Sequence, residues 1–413
     1  MMSKPKILFL AHRIPYPPHK GEKLRAYHLI KGLAEKHDVY LGAPVDDADD
    51  WQYAGALDDI CAETCIVDGR GRSRQRAAVE AIARRESVSF SYFRHRALMD
   101  WVRNVTRAHH FDAVLLYSSG TAPYLAALES QPGALIVDFV DVDSEKWRVL
   151  GETQGGVMGR VYAREAVMLR EAEKHLATRA DASLFVTGNE AALFGRVTGI
   201  TDGVHAIGNG VELEAWRDAD ALPSPYPDDG RARVIFTGAM DYMPNVEAVS
   251  WFAAHAMPKL REAGRAVSFV IAGSNPTKAV QALAGPDIEV TGRVPDMRPY
   301  LIHADLAVAP LQLARGVQNK VLEAMAARLP AIVTAAALDG INAQNDVSVR
   351  VAGTGAEFAT AISTLLDDPA RATAMAATAR QMIEDEYSWA ARIDALEQVI
   401  TGALSAAQTR SAA

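Results

Sequence analysis

Within "RGVQNKVLEAMAARLP", residues 315–330, four side chains are spaced to suit an anionic ligand: Arg315, Asn319, Lys320 and Glu323. Asn319 and Glu323 are four residues apart and Lys320 and Glu323 three apart, so a helix starting near Gln318 presents all three on one face. The first turn of such a helix offers unpaired backbone N–H groups and the positive end of its dipole, which together seat a diphosphate. Arg315 adds a planar fork for phosphate oxygens and Lys320 a mobile positive charge. Glu323, one turn further in, is placed to accept hydrogen bonds from two neighbouring hydroxyls, such as those of a ribose. The plainer alternative is an intrahelical Lys320–Glu323 pair, contributing about a few tenths of a kcal/mol.

A second group lies in the first half. "DFVDVDSEKW" carries Asp138, Asp141 and Asp143 at the end of an apolar run, and His12 ends the first run of the chain. Asp141-Val-Asp143 spells D-x-D, a pattern that elsewhere holds a divalent metal on a diphosphate. We read no metal here: Asp138 and Asp141 are candidates for contacting an acceptor, His12 for touching substrate. The alternative is that the carboxylates only cap the next turn. His109 and His110 precede a strand and are assigned no chemistry. Cys61 and Cys65 form a lone C-x₃-C, short of a four-ligand zinc site, and read as reduced thiols.

The elements that position these residues are legible. "KILFLAH", "DVYLGAPV", "DAVLLYSS", "ALIVDFVD" and "ASLFVTG" in the first half, and "ARVIFTGA", "VSFVIAG", "IEVTG", "DLAVAPL" and "AIVTAAA" in the second, are continuously apolar, as parallel strands buried on both faces are. Amphipathic stretches alternate with them, giving the βαβ rhythm of a doubly wound sheet, twice. The fold class is α/β, with two Rossmann-like parallel-sheet domains expected to face each other across a cleft. Ligands of such sheets bind beyond the carboxyl ends of the strands. The proline-rich "DADALPSPYPDDGRAR" reads as a linker. We expect an N-terminal domain over 1–218, a linker over 219–231, a C-terminal domain over 232–385, a helix over 386–404 packing back on the first domain, and a frayed tail over 405–413. Neither first loop carries G-x-G-x-x-G, which argues against an NAD enzyme.

The chain has 413 residues, a formal net charge of −8 and a pI near 5.8, which excludes a general nucleic-acid binder. The N-terminal apolar run breaks at His12 and Arg13, too short for a signal peptide, and no segment reaches the roughly 18 apolar residues of a membrane span. A cytoplasmic protein is expected, at most peripheral on the inner face of the membrane. Residues 70–107 hold ten arginines and three carboxylates, with Phe90, Tyr92, Phe93 and Trp101 interleaved. They read as a solvated helix pair or as a patch that docks on anionic lipid, with nucleic acid a third option that the overall negative charge makes the weakest.

"VLEAMAARLPAIV" resembles the helix and strand that close the E-x₇-E signature of retaining glycosyltransferases of the GT-B fold, family 4. The resemblance runs through nearly the whole chain. It implies that Glu323 holds the nucleotide ribose and that the backbone at Gly316 approaches the donor. It also implies that Arg293 and Val294 in "TGRVPD" meet the base, and that Gly21 lets the first loop approach the donor phosphates. Gly238 and Gly273, at strand ends, join the donor-binding set. Arg315 stands where the family has its first glutamate. Met240 and Asn245 stand where the family's Arg and Lys grip the diphosphate, and Val140 lies where related enzymes often have histidine. Phosphate charge must then be met by Arg293, Arg315, Lys320 or helix amides. The arrangement is most similar to sugar transferases of exosortase-linked exopolysaccharide clusters.

The expectation is a retaining glycosyltransferase moving a sugar from a nucleoside diphosphate donor to a glycan, lipid-linked acceptor, without cofactor or metal. Arg293, Lys320, Asp141 and Arg315 are its candidate catalytic residues. A nucleotide-sugar 2-epimerase of the same fold, or a non-catalytic member that binds a glycan or partner, are the alternatives.

Overall fold

The computed structural model describes residues 4–18, 21–71, 73–312 and 317–412. Arg315 and Gly316 lie outside the described residues. The chain divides into two compact units: Met1–Asn209 with Arg392–Ala413, and Gly210–Ala391. The first therefore ends nine residues before the expected boundary at 218, and residues 219–231, read as a linker, belong to the second unit.

In the first unit β1 (Lys6–Ala11), β2 (Asp38–Val45), β3 (Glu63–Asp68), β4 (Ala113–Tyr117), β5 (Ala134–Val140), β6 (Ala182–Phe185) and β7 (Val204–Ala206) form one sheet in the order β3-β2-β1-β4-β5-β6-β7. Every pairing is parallel. The order reverses between β1 and β4, where Ile7 lies opposite Ala113 on one side and Val39 on the other. In the second unit β8 (Ala232–Thr237), β9 (Val267–Ala272), β10 (Ile288–Gly292), β11 (Leu306–Ala309), β12 (Ala331–Val333) and β13 (Arg350–Val351) run parallel in the order β10-β9-β8-β11-β12-β13. Its reversal falls between β8 and β11. Central strands are apolar without alternation because helices cover both faces: Leu8, Phe9 and Leu10 are buried in one sheet, Ile235, Phe236, Val270 and Ile271 in the other. β7 and β13, with three and two residues, are too short to show any period.

The last helix, Trp389–Ala412, packs on the first unit from Arg392 onward. Gly32 makes room for it, since a Cβ there would stand 2.4 Å from Ile393. His37 Nε2 lies 2.9 Å from a Glu397 carboxylate oxygen. Residues 405–412, expected as tail, continue this helix.

Candidate functional site

The carboxyl ends of β8, β9 and β10 and the start of the Asn319–Ala326 helix surround a cavity of about 420 Å³. That lies within the roughly 300–1,000 Å³ of small-molecule sites. Thr237 ends β8 and Gly238 follows it, Gly273 and Ser274 follow β9, and Arg293 and Val294 follow β10. Val317, Asn319, Lys320 and Glu323 close the remaining side. Its place beyond the strand ends, beside the β8/β11 reversal, is where a doubly wound sheet leaves a crevice.

Glycine is obligatory in the floor. A Cβ on Gly273 would stand 1.7 Å from the Gly238 carbonyl oxygen, so the β8 and β9 turns touch backbone to backbone. A Cβ on Gly238 would stand 2.7 Å from Asn245 Nδ2. The helix wall follows from its pattern: Val321, Leu322, Ala324, Met325 and Ala326 are buried against the core, leaving Lys320 and Glu323 for the cavity. Asn319 and Lys320 are the first two residues of this helix, where amide N–H groups lie ahead of the intrahelical ladder. The helix ends on Arg328, at φ 55°, with Leu329 N–H donating to Ala324 C=O.

Lys320 Nζ donates to Asn245 Oδ1 at 3.0 Å and lies 5.2 Å from the centre of the Phe236 ring. Burial pulls its pKa down to about 8, partly opposed by Glu323. Burial pushes the Glu323 carboxyl up to about 7, partly opposed by Lys320. The site thus holds a cation and a carboxylate that are both costly to ionise where they stand.

The positions that depart from the family pattern have structural occupants. Met240 is wholly buried in the core. Asn245 is buried too, and its Nδ2 donates to Ala239 C=O at 2.9 Å. Of the donor residues expected from sequence, Gly238, Gly273, Arg293, Val294, Asn319, Lys320 and Glu323 line the cavity. Gly21 lies in the first unit, exposed at the start of the Gly21–Lys36 helix. Thr237, Ser274, Met297 and Val317 also line the cavity and were not anticipated. Thr237 and Ser274 had one signal, adjacency to a strand-end glycine.

In the first unit Asp138 departs from expectation. It is fully buried, with Oδ2 accepting from Arg25 Nε at 2.8 Å and Oδ1 accepting from Val140 N–H. A carboxylate held this way cannot face an acceptor; it fixes the end of β5. There the register slips, and Val140, a β-branched residue, sits at φ 69°. Asp141, beyond the slip, remains part-exposed. Lys146 Nζ donates to Asp141 at 2.8 Å and Asp143 at 3.1 Å, so an ammonium already occupies the D-x-D pair. Among the described residues no three His, Cys, Asp or Glu side chains are grouped to hold a metal. His12 stacks on Tyr117, 5.8 Å between ring centres, and burial lowers its pKa to about 4, so its ring is neutral at pH 7.

The stretch 70–107 is less cationic than its composition suggests. Arg70 pairs with Asp68, Arg94 with Glu86, and Arg103 and Arg107 with Glu129 from outside it. Trp101 Nε1 donates to Glu63. Burial pushes the Cys61 and Cys65 thiols up to about 12 and 11, leaving them unreactive. No helix among the described residues is long and apolar enough to cross a membrane.

Residues 231–368 match the family described as Glycosyl transferases group 1. A glycogen synthase of Mycobacterium tuberculosis is 27% identical over 297 residues, 67% of either chain. Sucrose-phosphate synthase from Thermosynechococcus elongatus superposes with a TM-score of 0.64 at 16% identity, over 98% of this chain and 100% of that one. Anabaena Alr3699/HepE in complex with UDP-glucose gives 0.64 at 14% identity, over 96% and 99%. These two share the fold.

Proposed function

Since the chain is a group 1 glycosyltransferase with the GT-B fold, using a nucleotide-sugar donor, we propose that its donor binds in the cavity between Thr237 and Glu323. The transfer is with retention, to a lipid-linked glycan at the inner face of the cytoplasmic membrane, in exopolysaccharide assembly. What carries this reading is the placement of Lys320 and Glu323 side by side at the strand ends, with glycine turns as the opposite wall.

Negative charge builds on the diphosphate as the sugar departs. Lys320, Arg293 and the first amides of the Asn319–Ala326 helix are donors aimed at that charge, and preorganised donors in a partly dry site supply the main catalytic stabilisation. Arg315, by its place in the sequence, is a further cation for the same phosphates. Glu323 accepts from the ribose hydroxyls, and the backbone beside Val294 receives the base. Asp141 contacts the acceptor. Protein cations meet the phosphate charge in this scheme, so it calls on no metal.

The test is thermal stabilisation by UDP, GDP, ADP and dTDP, with UDP first because Anabaena HepE is described in complex with it. A ligand that binds only the folded state raises stability by RT ln(1 + [L]/Kd). The expected result is stabilisation by one of them that Lys320→Ala and Glu323→Ala both remove. Equal stabilisation of all three proteins would place the donor elsewhere.

A further inference from the structure

After β5 the chain makes a helical hairpin, Asp143–Thr153 and Gly156–Arg179, within the first unit. The helices cross on small residues. A Cβ on Gly159 would stand 1.9 Å from the Gln154 carbonyl oxygen, and one on Gly151 3.0 Å from the Ala163 nitrogen. At that separation the bulky apolar side chains near the turn have no room between the helices and point outward. Val157 is 76% exposed, Met158 48%, Val161 41% and Leu150 40%. Trp147 and Tyr162, half-buried, pack against each other at the margin, 5.3 Å between ring centres.

We propose that this hairpin tip, residues 147–164, docks on an anionic lipid surface. Exposed Val, Met and Leu beside Trp, Tyr and Arg match the composition of interfacial helices, whose apolar face enters the headgroup boundary while cations meet lipid phosphates. The charge agrees. In a chain of net charge −8, the tip holds Arg148, Arg160 and Arg164 against one carboxylate, Glu152. Arg148 is engaged by Glu145 and Glu152, whereas Arg160 and Arg164 are exposed without a carboxylate partner among the described residues. A second copy is the poorer occupant, since a two-fold contact would set these guanidiniums against their own images. The tip follows directly from the β5 end that carries Asp141. The inference rests on the proposed lipid-linked acceptor for its purpose, not for its test.

Flotation of the full-length protein with vesicles of phosphatidylcholine alone, or mixed with phosphatidylglycerol, decides it. Expected is binding to the mixed vesicles that added salt weakens. Val157→Asp/Val161→Asp and Arg160→Glu/Arg164→Glu should each lower it about tenfold or more, and Val79→Asp, an exposed apolar site on another helix, should leave it unchanged. All variants should keep the nucleotide-induced thermal stabilisation, so failure here is separable from failure of the donor site. No flotation, flotation that the hairpin variants leave intact, or a dimer that these variants dissociate would overturn the proposal.

Discussion

Asn245 Oδ1 lies 3.0 Å from Lys320 Nζ, and the Asn245 amide is locked by its Nδ2 bond to Ala239 C=O. The side chain at a position where the family has a cation of its own here orients the cation of another element. An amide oxygen facing an ammonium favours its protonated form. Asn245→Ala should therefore depress the Lys320 pKa further below about 8 and cut diphosphate affinity. Loss of one hydrogen bond to a charged group is about 1.5–3 kcal/mol, or roughly ten- to hundredfold. The loss should be larger at about pH 8 than at about pH 6, where Lys320 stays protonated in either protein. Calorimetric titration with UDP at both values checks this, and an equal loss at both would refute the charge argument.

Glu323 and Lys320 also set a pH dependence of the unliganded protein. Glu323 titrates near 7 folded against an ordinary 4.5, so between those values the folded state holds the extra proton and stability falls as pH rises. Lys320 titrates near 8 against 10.5, so between those values the unfolded state holds more protons and stability rises with pH. The pair thus contributes a minimum between about pH 7 and 8. Glu323→Gln should remove the acid side of it, stabilising the unliganded protein at neutral pH by about 1 kcal/mol while weakening nucleotide binding. Urea unfolding across pH, with and without UDP, reads both effects.

Gly273→Ala places a methyl 1.7 Å from the Gly238 oxygen, with no flexible side chain to yield. It should destabilise by about 2 kcal/mol or more and abolish nucleotide binding. Gly402→Ala, with nothing within 4 Å in the last helix, should be neutral or stabilise by up to about 1 kcal/mol. Thermal melts of the two variants make the comparison.

Arg328 adopts φ 55°, where a side chain costs about 1 kcal/mol and glycine does not. Being exposed, its side chain contributes little that would offset this. Arg328→Gly should raise stability by about 0.5–1 kcal/mol without altering nucleotide binding, measured by denaturant unfolding.

Asp138 and Asp141 should separate cleanly. Asp138→Ala leaves Arg25 buried without its partner, a loss of about 3–5 kcal/mol that should impair folding. Asp141→Asn removes a part-exposed ion pair and should change stability by less than about 1 kcal/mol. If Asp141 serves the acceptor, its variant should keep nucleotide binding and lose transfer to glycan. Full transfer by Asp141→Asn would remove it from the site.

Two parallel sheets were legible in the residues alone, because strands buried on both faces must be continuously apolar, and so was the Lys320–Glu323 wall, because helical spacing is local. The strand-end glycines were legible for the same reason. Edge strands β7 and β13 were not, being too short to carry a period. Nor could one-dimensional spacing tell a buried carboxylate from an accessible one. Asp138 and Asp141 are three residues apart, yet the register slip at Val140 gives one to Arg25 and leaves the other part-exposed. Packing also settled that Asn245 orients Lys320 across 75 residues of chain, and that Arg70, Arg94, Arg103 and Arg107 meet carboxylates while Arg160 and Arg164 of the hairpin tip meet none among the described residues. Pairing between distant segments is set by packing, and packing is what sequence spacing does not encode.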